Sequence, residues 1–404
     1  MTMKLSDRVE GFAQSDIRRM SRECEAAGGI NLGQGICDLP TEDLVVEGAI
    51  EAIRGGKATY SRFEGIDPLR RKIAAKTAAY NRFEVDPDRE IVVTVGSTGG
   101  FAAAAMATLD PGDEVILFEP YYGYHLNTLK VLGMETKVVP LEPPGWSIDF
   151  DRLRAAFGPR TRGIVICTPS NPCGKVFTRE ELEQIGALCR EHDAWAYTDE
   201  IYEYIVYDGR KHVSMASLDG CRDVTITISG FSKTFSITGW RLGYVIAPPE
   251  VTKAIGLIND LFYVCAPTPL QWGVARGMDI DPSYYSKLAT DYQKKRDMLA
   301  AALRDGGLTP HVPEGAYYML ADFSSLGFES DKEAADSLLR EVGVAAVPGS
   351  AFYLSGGGSQ MLRFCFAKDF EPLEEACRRI RAFPEAITRR QEQKNAGLLR
   401  AEGR

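Results

Sequence analysis

Among its nine cysteines the chain has no C-x-x-C pair, and its four histidines show no metal-ligating spacing. An odd, scattered cysteine count argues against a disulfide framework and reads as reduced thiols in a cytosolic protein. His125, His192, His212 and His311 stand far apart, so no metal centre is expected. No run approaches the roughly 18 apolar residues of a membrane span, and MTMKLSDRVEGFAQSD at the N-terminus has no apolar signal core. Positive charge is not in surplus either: 47 Lys and Arg against 56 Asp and Glu leave a net charge of −9. The basic residues are dispersed among the acidic ones, which argues against a nucleic acid gripped by its phosphates. Repeats and low-complexity tracts are absent. What remains is the expectation of a soluble, cytoplasmic globular protein whose 404 residues suit two domains.

From about residue 90 the chain alternates two textures. Short β-branched runs recur at Ile91–Val95, Glu114–Phe118, Thr136–Val139, Gly163–Cys167, Ala194–Thr198, Val224–Ile228 and Tyr244–Ala247. Helical periods lie between several of them, and Thr178-Arg-Glu-Glu181 is a capping box that opens one over Thr178–His192. Strands separated by helices predict an α/β fold with a mostly parallel, seven-stranded sheet between helices. Ligands of such sheets sit beyond the carboxyl ends of the strands. After about residue 283 a charged helix (Tyr284–Arg304), a strand pattern in HVPEGAYYMLADF, a helix at Lys332–Val342 and a strand at Gln360–Ala367 read as a smaller α+β domain. The division expected is 43–283 for the large domain, with 1–42 and 284–404 forming an arm and the small domain. The charged tail after residue 386 is expected to fray.

Three strand ends carry unusual residues. Thr94-Val-Gly96-Ser97-Thr98-Gly99-Gly100 is a glycine-rich turn before a helix expected over Phe101–Leu109. Backbone N–H groups bared there bind phosphate, although many tight turns look alike. Thr198-Asp199-Glu200-Ile201-Tyr202 puts a carboxylate at a strand's carboxyl end, and it reads equally as an N-cap followed by a packed tyrosine. The third is Ser229-Gly-Phe-Ser232-Lys233-Thr-Phe-Ser236, followed by Thr238-Gly-Trp-Arg241-Leu-Gly-Tyr244. A partly buried lysine among small residues is a usable amine nucleophile, whereas a bare lysine is ordinarily a solvated charge.

This third segment resembles the pyridoxal 5′-phosphate (PLP) attachment signature of the class I/II aminotransferases, which have fold type I. Similarity continues in family order through Leu32-Gly-Gln-Gly35, Tyr60…Gly65…Leu69-Arg70, Pro120-Tyr-Tyr122, Asn171-Pro-Cys-Gly174, Asp199…Tyr202 and Arg363. The resemblance implies that Lys233 forms a Schiff base with PLP and shuttles the proton at the substrate Cα. It implies that Asp199 pairs with the protonated pyridine nitrogen, that Asn171 and Tyr202 bond the ring 3′-oxygen, and that Tyr122 stacks on the ring. The phosphate would take the N–H groups of Ser97 and Thr98, Arg241, and the hydroxyl of Ser232 or Ser229. Tyr60, and in the same way Thr268, would come from the neighbouring subunit of a homodimer. Gly35, Asn171 and Arg363 would hold the substrate, the arginine through its α-carboxylate.

The activity implied is ping-pong transfer of an amino group from an L-amino acid to a 2-oxo acid such as 2-oxoglutarate. Phe12, Tyr60, Tyr121 and Tyr124 point to a neutral or aromatic donor. Three departures bear on the substrate: Gly35-Ile36-Cys37-Asp38 lacks the family's proline, Gly99 replaces a larger side chain, and Thr98 stands where aspartate-specific members have lysine. A C–S β-lyase or another eliminating enzyme could use the same cofactor set. A non-catalytic sensor of this fold would need an added basic DNA-binding region, for which the short arm has no room.

Overall fold

The computed structural model describes Ser6, Arg8, residues 16–35 and 37–389, and Glu392. Phe12, Ile36 and most of the tail expected to fray lie outside the described residues. The chain forms two compact units. One contains Cys37–Thr290 and the short return Glu314–Ala316; the other contains residues 16–35, Asp291–Pro313 and 317–389. The return is tied down by Glu314 and Gly315, whose N–H groups both donate to the Gly174 carbonyl, at 3.0 and 2.9 Å.

The larger unit is built on eight strands. Across the sheet they run Ile91–Val95, Leu242–Ile246, Thr225–Gly230, Trp195–Asp199, Thr161–Cys167, Glu114–Glu119, Glu135–Glu142 and Ser147–Ile148. The five strands from Thr225–Gly230 to Glu135–Glu142 are mutually parallel; Leu242–Ile246 is antiparallel to both of its neighbours, and Ser147–Ile148 is antiparallel at the edge. The expected seven strands therefore become eight. The extra one is two residues long and has no apolar run to announce it.

Both faces of the sheet are covered, and strand alternation sends successive side chains to opposite faces. Val245 joins a core with Phe101, Val115, Leu117 and Leu129, while its neighbours Tyr244 and Ile246 join another with Ile66, Leu69, Val93 and Phe235. Parallel strands buried on both sides become continuous apolar runs, which is why they were readable. The capping box forms as expected: the Glu181 N–H donates to Thr178 Oγ1 at 3.2 Å and the Thr178 N–H to Glu181 Oε2 at 2.9 Å, a contribution of about 1 kcal/mol.

In the smaller unit, Thr309–His311, Tyr318–Asp322, Met361–Cys365 and Val347–Pro348 form a four-stranded antiparallel sheet in that order. Ile30–Asn31 pairs in parallel with Val344–Ala345. Among the described residues no helix is long and apolar enough to cross a membrane.

Candidate active site

The glycine-rich turn is shorter than expected, because the helix begins at Gly96 and runs to Thr108. Gly96 adopts φ 67°, the left-handed region open to glycine. A Cβ there would strike the guanidinium of Arg241, which lies directly over it. Gly243 closes the arrangement from below: a Cβ on it would meet the Ser97 nitrogen at 2.5 Å. Helix start and arginine are thus pressed together by two glycines. Arg241 donates to the Thr238 carbonyl at 3.0 Å, and among the described residues no carboxylate pairs with it. A guanidinium beside the first N–H groups of a helix makes a region of positive potential suited to an anion. At Gly99 the ring of Tyr263 stands 3.6 Å from where a side chain would begin, an ordinary packing contact.

That helix start borders a pocket lined by Ser97, Thr98, Phe101, Tyr122, Tyr124, His125, Thr128 and Asp199. Asp199 ends the strand Trp195–Asp199 and is buried. No helix follows it, so the N-cap reading falls away; a tight turn follows, with the Ile201 N–H donating to Asp199 Oδ1 at 3.3 Å. Asp199 Oδ2 lies 3.1 Å from His125 Nε2. The sequence reading missed His125. The available signal was its place three residues after Tyr122, one helical turn on, within the helix Gly123–Leu132. Tyr122 meets the His125 ring edge-on at 5.3 Å and stacks on Tyr124 at 5.2 Å.

A second pocket shares Tyr122 and His125 and adds Tyr121, Cys167, Ser170 and Asn171. Asn171 is buried. Cys167 pairs in register with Asp199; burial first and the Asp199 charge second push its thiol pKa well up, so it is a neutral wall and not a nucleophile.

Lys233 follows the strand Thr225–Gly230 and is half-buried, with its Nζ 5.9 Å from the centre of the buried Tyr202 ring. Of the two candidate serines, Ser229 turns away. Its hydroxyl is shared between the Glu200 carbonyl and Glu203 Oε1, each at 3.3 Å, in a buried acidic cluster. Strand alternation sets that direction at Ser229, while Ser232 lies past the strand end and is buried.

In the smaller unit Arg363 is 1% exposed on Met361–Cys365. Its guanidinium lies over the rings of Tyr318 and Phe352, at 4.4 and 4.7 Å, and donates to the Gly33 carbonyl at 2.5 Å. Asn31 shapes the glycine turn before Gly35 by accepting from the Gly33 and Gln34 N–H groups at 2.9 and 3.0 Å. At Gly35 the Tyr318 hydroxyl fills the place of a Cβ, so a larger residue would require that ring to move. Tyr60 lines neither pocket and is 81% exposed; Thr268 opens the helix Thr268–Gly277 and also lies outside both linings.

Comparison with known proteins gives one consistent result. The family model for aminotransferase class I and II matches residues 27–380. A probable N-succinyldiaminopimelate aminotransferase, DapC, of Mycobacterium tuberculosis is 35% identical over 389 residues, covering 94% of this chain and 98% of its own. Kynurenine–oxoglutarate transaminase 3 of Rattus norvegicus is 33% identical, covering 93% of this chain and 89% of its own. The solved structure of YbdL from Escherichia coli, described as having a methionine aminotransferase function, superposes with a TM-score of 0.91 at 30% identity. It covers 94% of this chain and 100% of that one.

Proposed function

Since this chain belongs to the class I and II aminotransferases, PLP-dependent enzymes of fold type I, we propose that it moves the amino group of a neutral or aromatic L-amino acid to a 2-oxo acid such as 2-oxoglutarate, by a ping-pong route. One observation supports this reading of the cofactor site: a single pocket is lined by a buried carboxylate, Asp199, and by the helix start at Ser97 and Thr98. A cofactor with a protonated ring nitrogen at one end and a phosphate at the other matches those two ends in charge. When bound, PLP supplies an electron sink for the charge that develops at the substrate Cα.

The chain's own residues then divide the work. Lys233 provides the attaching amine and moves the proton at Cα. Asp199, backed by His125, keeps a positive charge opposite it favourable. Asn171 and Tyr202 bond the ring oxygen, and Tyr122 offers an aromatic face. Ser97, Thr98, Ser232 and Arg241 hold the phosphate. Arg363, its planar fork packed against two aromatic rings, takes the substrate α-carboxylate.

The donor class rests on the pocket walls. Tyr121, Tyr122 and Tyr124 line the two pockets and offer aromatic surface to an uncharged donor side chain. The names of the rat and E. coli relatives agree with a kynurenine- or methionine-like donor. For a homodimer, Tyr60 has a free reach, and Leu261, Phe262 and Tyr263 expose 76%, 57% and 43% of their surface at one helix end. All nine cysteines are unpaired, which supports a cytosolic location. The test is a donor panel with holoenzyme and no acceptor. One equivalent of 2-oxo acid per site without ammonia supports transfer; pyruvate with ammonia from a cysteine-like donor would establish the eliminating alternative.

A further inference from the structure

Behind the turn that follows Asp199 lies a buried cluster that the proposed chemistry does not use. Turn residues three apart point together: Asp199 and Tyr202 belong to the site, while Glu200 and Glu203 face inward. Lys76 Nζ lies 2.5 Å from Glu203 Oε2 and 3.0 Å from the Tyr244 hydroxyl. The same carboxylate accepts from Asn81 Nδ2 at 2.9 Å and from Ser229 at its other oxygen. The rings of Tyr80, Tyr204 and Tyr244 surround the ammonium at 5.6, 5.6 and 5.7 Å. The Tyr80 hydroxyl donates to the Glu203 carbonyl at 2.7 Å. Glu200 is satisfied separately by His212 and Ser214, at 2.9 and 3.0 Å. Glu200, Glu203 and His212 are close enough to resemble a metal site, but Lys76 already supplies the counter-charge.

The helix is adapted for this contact. It is α-helical over Asp67–Lys76 and changes to a π turn over Thr77–Asn81. In a straight α-helix residues five apart point about 140° away from each other, and a wider turn narrows that angle. The π turn thus brings Lys76 and Asn81 onto one carboxylate. A small cavity beside the pair is lined by Gly230, Phe231, Thr234 and Phe235, the residues flanking Lys233.

We propose that the Lys76–Glu203 pair is a positioning device, fixing the turn that carries Tyr202 and the loop that carries Lys233 to one helix end. The proposal rests on Lys233 and Tyr202 facing the cofactor. Neither Lys76 nor Glu203 touches substrate; both act through the residues they hold.

The test compares parent holoenzyme with the double variant Lys76→Met/Glu203→Gln, which removes both charges together and leaves neither buried alone. Visible absorbance followed against pH without substrate reads the Lys233–cofactor linkage, and turnover of a Cα-deuterated donor reads proton transfer. Expected are a midpoint displaced by about half a pH unit or more, kcat lower by about tenfold, a larger deuterium effect, and a donor KM within about threefold of the parent. An unchanged midpoint overturns the proposal, whether or not kcat falls, because a merely structural pair would leave the linkage alone. If the double variant does not fold, Tyr244→Phe removes one hydroxyl from the cluster and is expected to displace the midpoint less; no displacement there overturns it equally. Borohydride reduction and peptide mapping of the parent examine the underlying reading separately, since label away from Lys233 would sink that reading itself.

Discussion

His125 Nε2 stands 3.1 Å from Asp199 Oδ2, with both side chains buried at the carboxyl end of the sheet. The contact joins a helix residue and a strand residue 74 positions apart, and both line the same pocket. The carboxylate's charge and the histidine's orientation of it are separable in mutants.

Asp199→Asn keeps the shape and removes the charge. Loss of an electrostatic partner to the reacting group is expected to cut kcat by about 10²–10³-fold. His125→Phe removes only the support and is expected to cost about tenfold. Steady-state turnover of the two PLP-loaded variants checks the order, and a larger loss in His125→Phe would reverse the assignment of roles.

Gly96→Ala sets a methyl group against the Arg241 guanidinium at a left-handed φ of 67°. Strain of about 1–2 kcal/mol is expected, with a guanidinium displaced from the helix start. Arg241→Ala is expected to weaken PLP binding by about tenfold or more through loss of a charge-assisted contact. Equilibrium dialysis of PLP against the apoprotein measures both, and affinity equal to the parent's in Arg241→Ala would remove the arginine from the phosphate site.

Arg363→Lys keeps the charge and loses the planar fork held between Tyr318 and Phe352. A fall of about 10–100-fold in kcat/KM for the amino donor is expected, carried mainly by KM. Unchanged donor KM with intact PLP binding would leave Arg363 as a packing residue only.

Tyr60 is examined by mixing subunits. Lys233→Ala and Tyr60→Ala chains are each expected to be nearly inactive alone. Refolded together, half of the dimers would be mixed and carry one complete site, restoring about a quarter of parental activity. No restoration would place Tyr60 outside the partner's site.

The Lys76–Glu203 pair sets a pH window. Burial pushes the Glu203 pKa up, but the charges of Lys76 and His212 and the bonds from Lys76 and Asn81 outweigh it, leaving it below the ordinary 4.5. A lowered carboxylate pKa adds stability that is present above 4.5 and is lost as pH falls through the folded value. For Lys76 burial pulls down, yet Glu203 and its neighbours hold the pKa above 10.5, so its contribution is full below that and disappears at higher pH. Thermal unfolding between about pH 6 and about pH 3 is expected to steepen more in the parent than in Lys76→Met/Glu203→Gln. Equal slopes would mean the pair adds nothing to folding.

Much of the fold is legible in the sequence. Parallel strands buried on both faces are largely apolar, so Glu114–Phe118 and Gly163–Cys167 stand out as runs inside the strands Glu114–Glu119 and Thr161–Cys167. The capping box at Thr178 is local chemistry and was equally plain. Ser147–Ile148 was not, because two residues have no period. The helix start at Gly96 was hidden for another reason: glycine disfavours helix, and the turn is held there by Arg241 and Gly243 pressing on it from the next strand.

The sequence by itself determined the residue types of the site, the order of the strands that present them and, through motif order, the family. Tertiary structure alone decided which groups meet. Ser229 and Ser232 look alike in a line of residues, and strand pleating turns the first into the Glu203 cluster. His125 and Asp199, or Lys76 and Glu203 at 127 residues' separation, are brought together by sheet order and a π turn. A residue's chemistry is carried in its own atoms, but its partner depends on the path of all the chain between them.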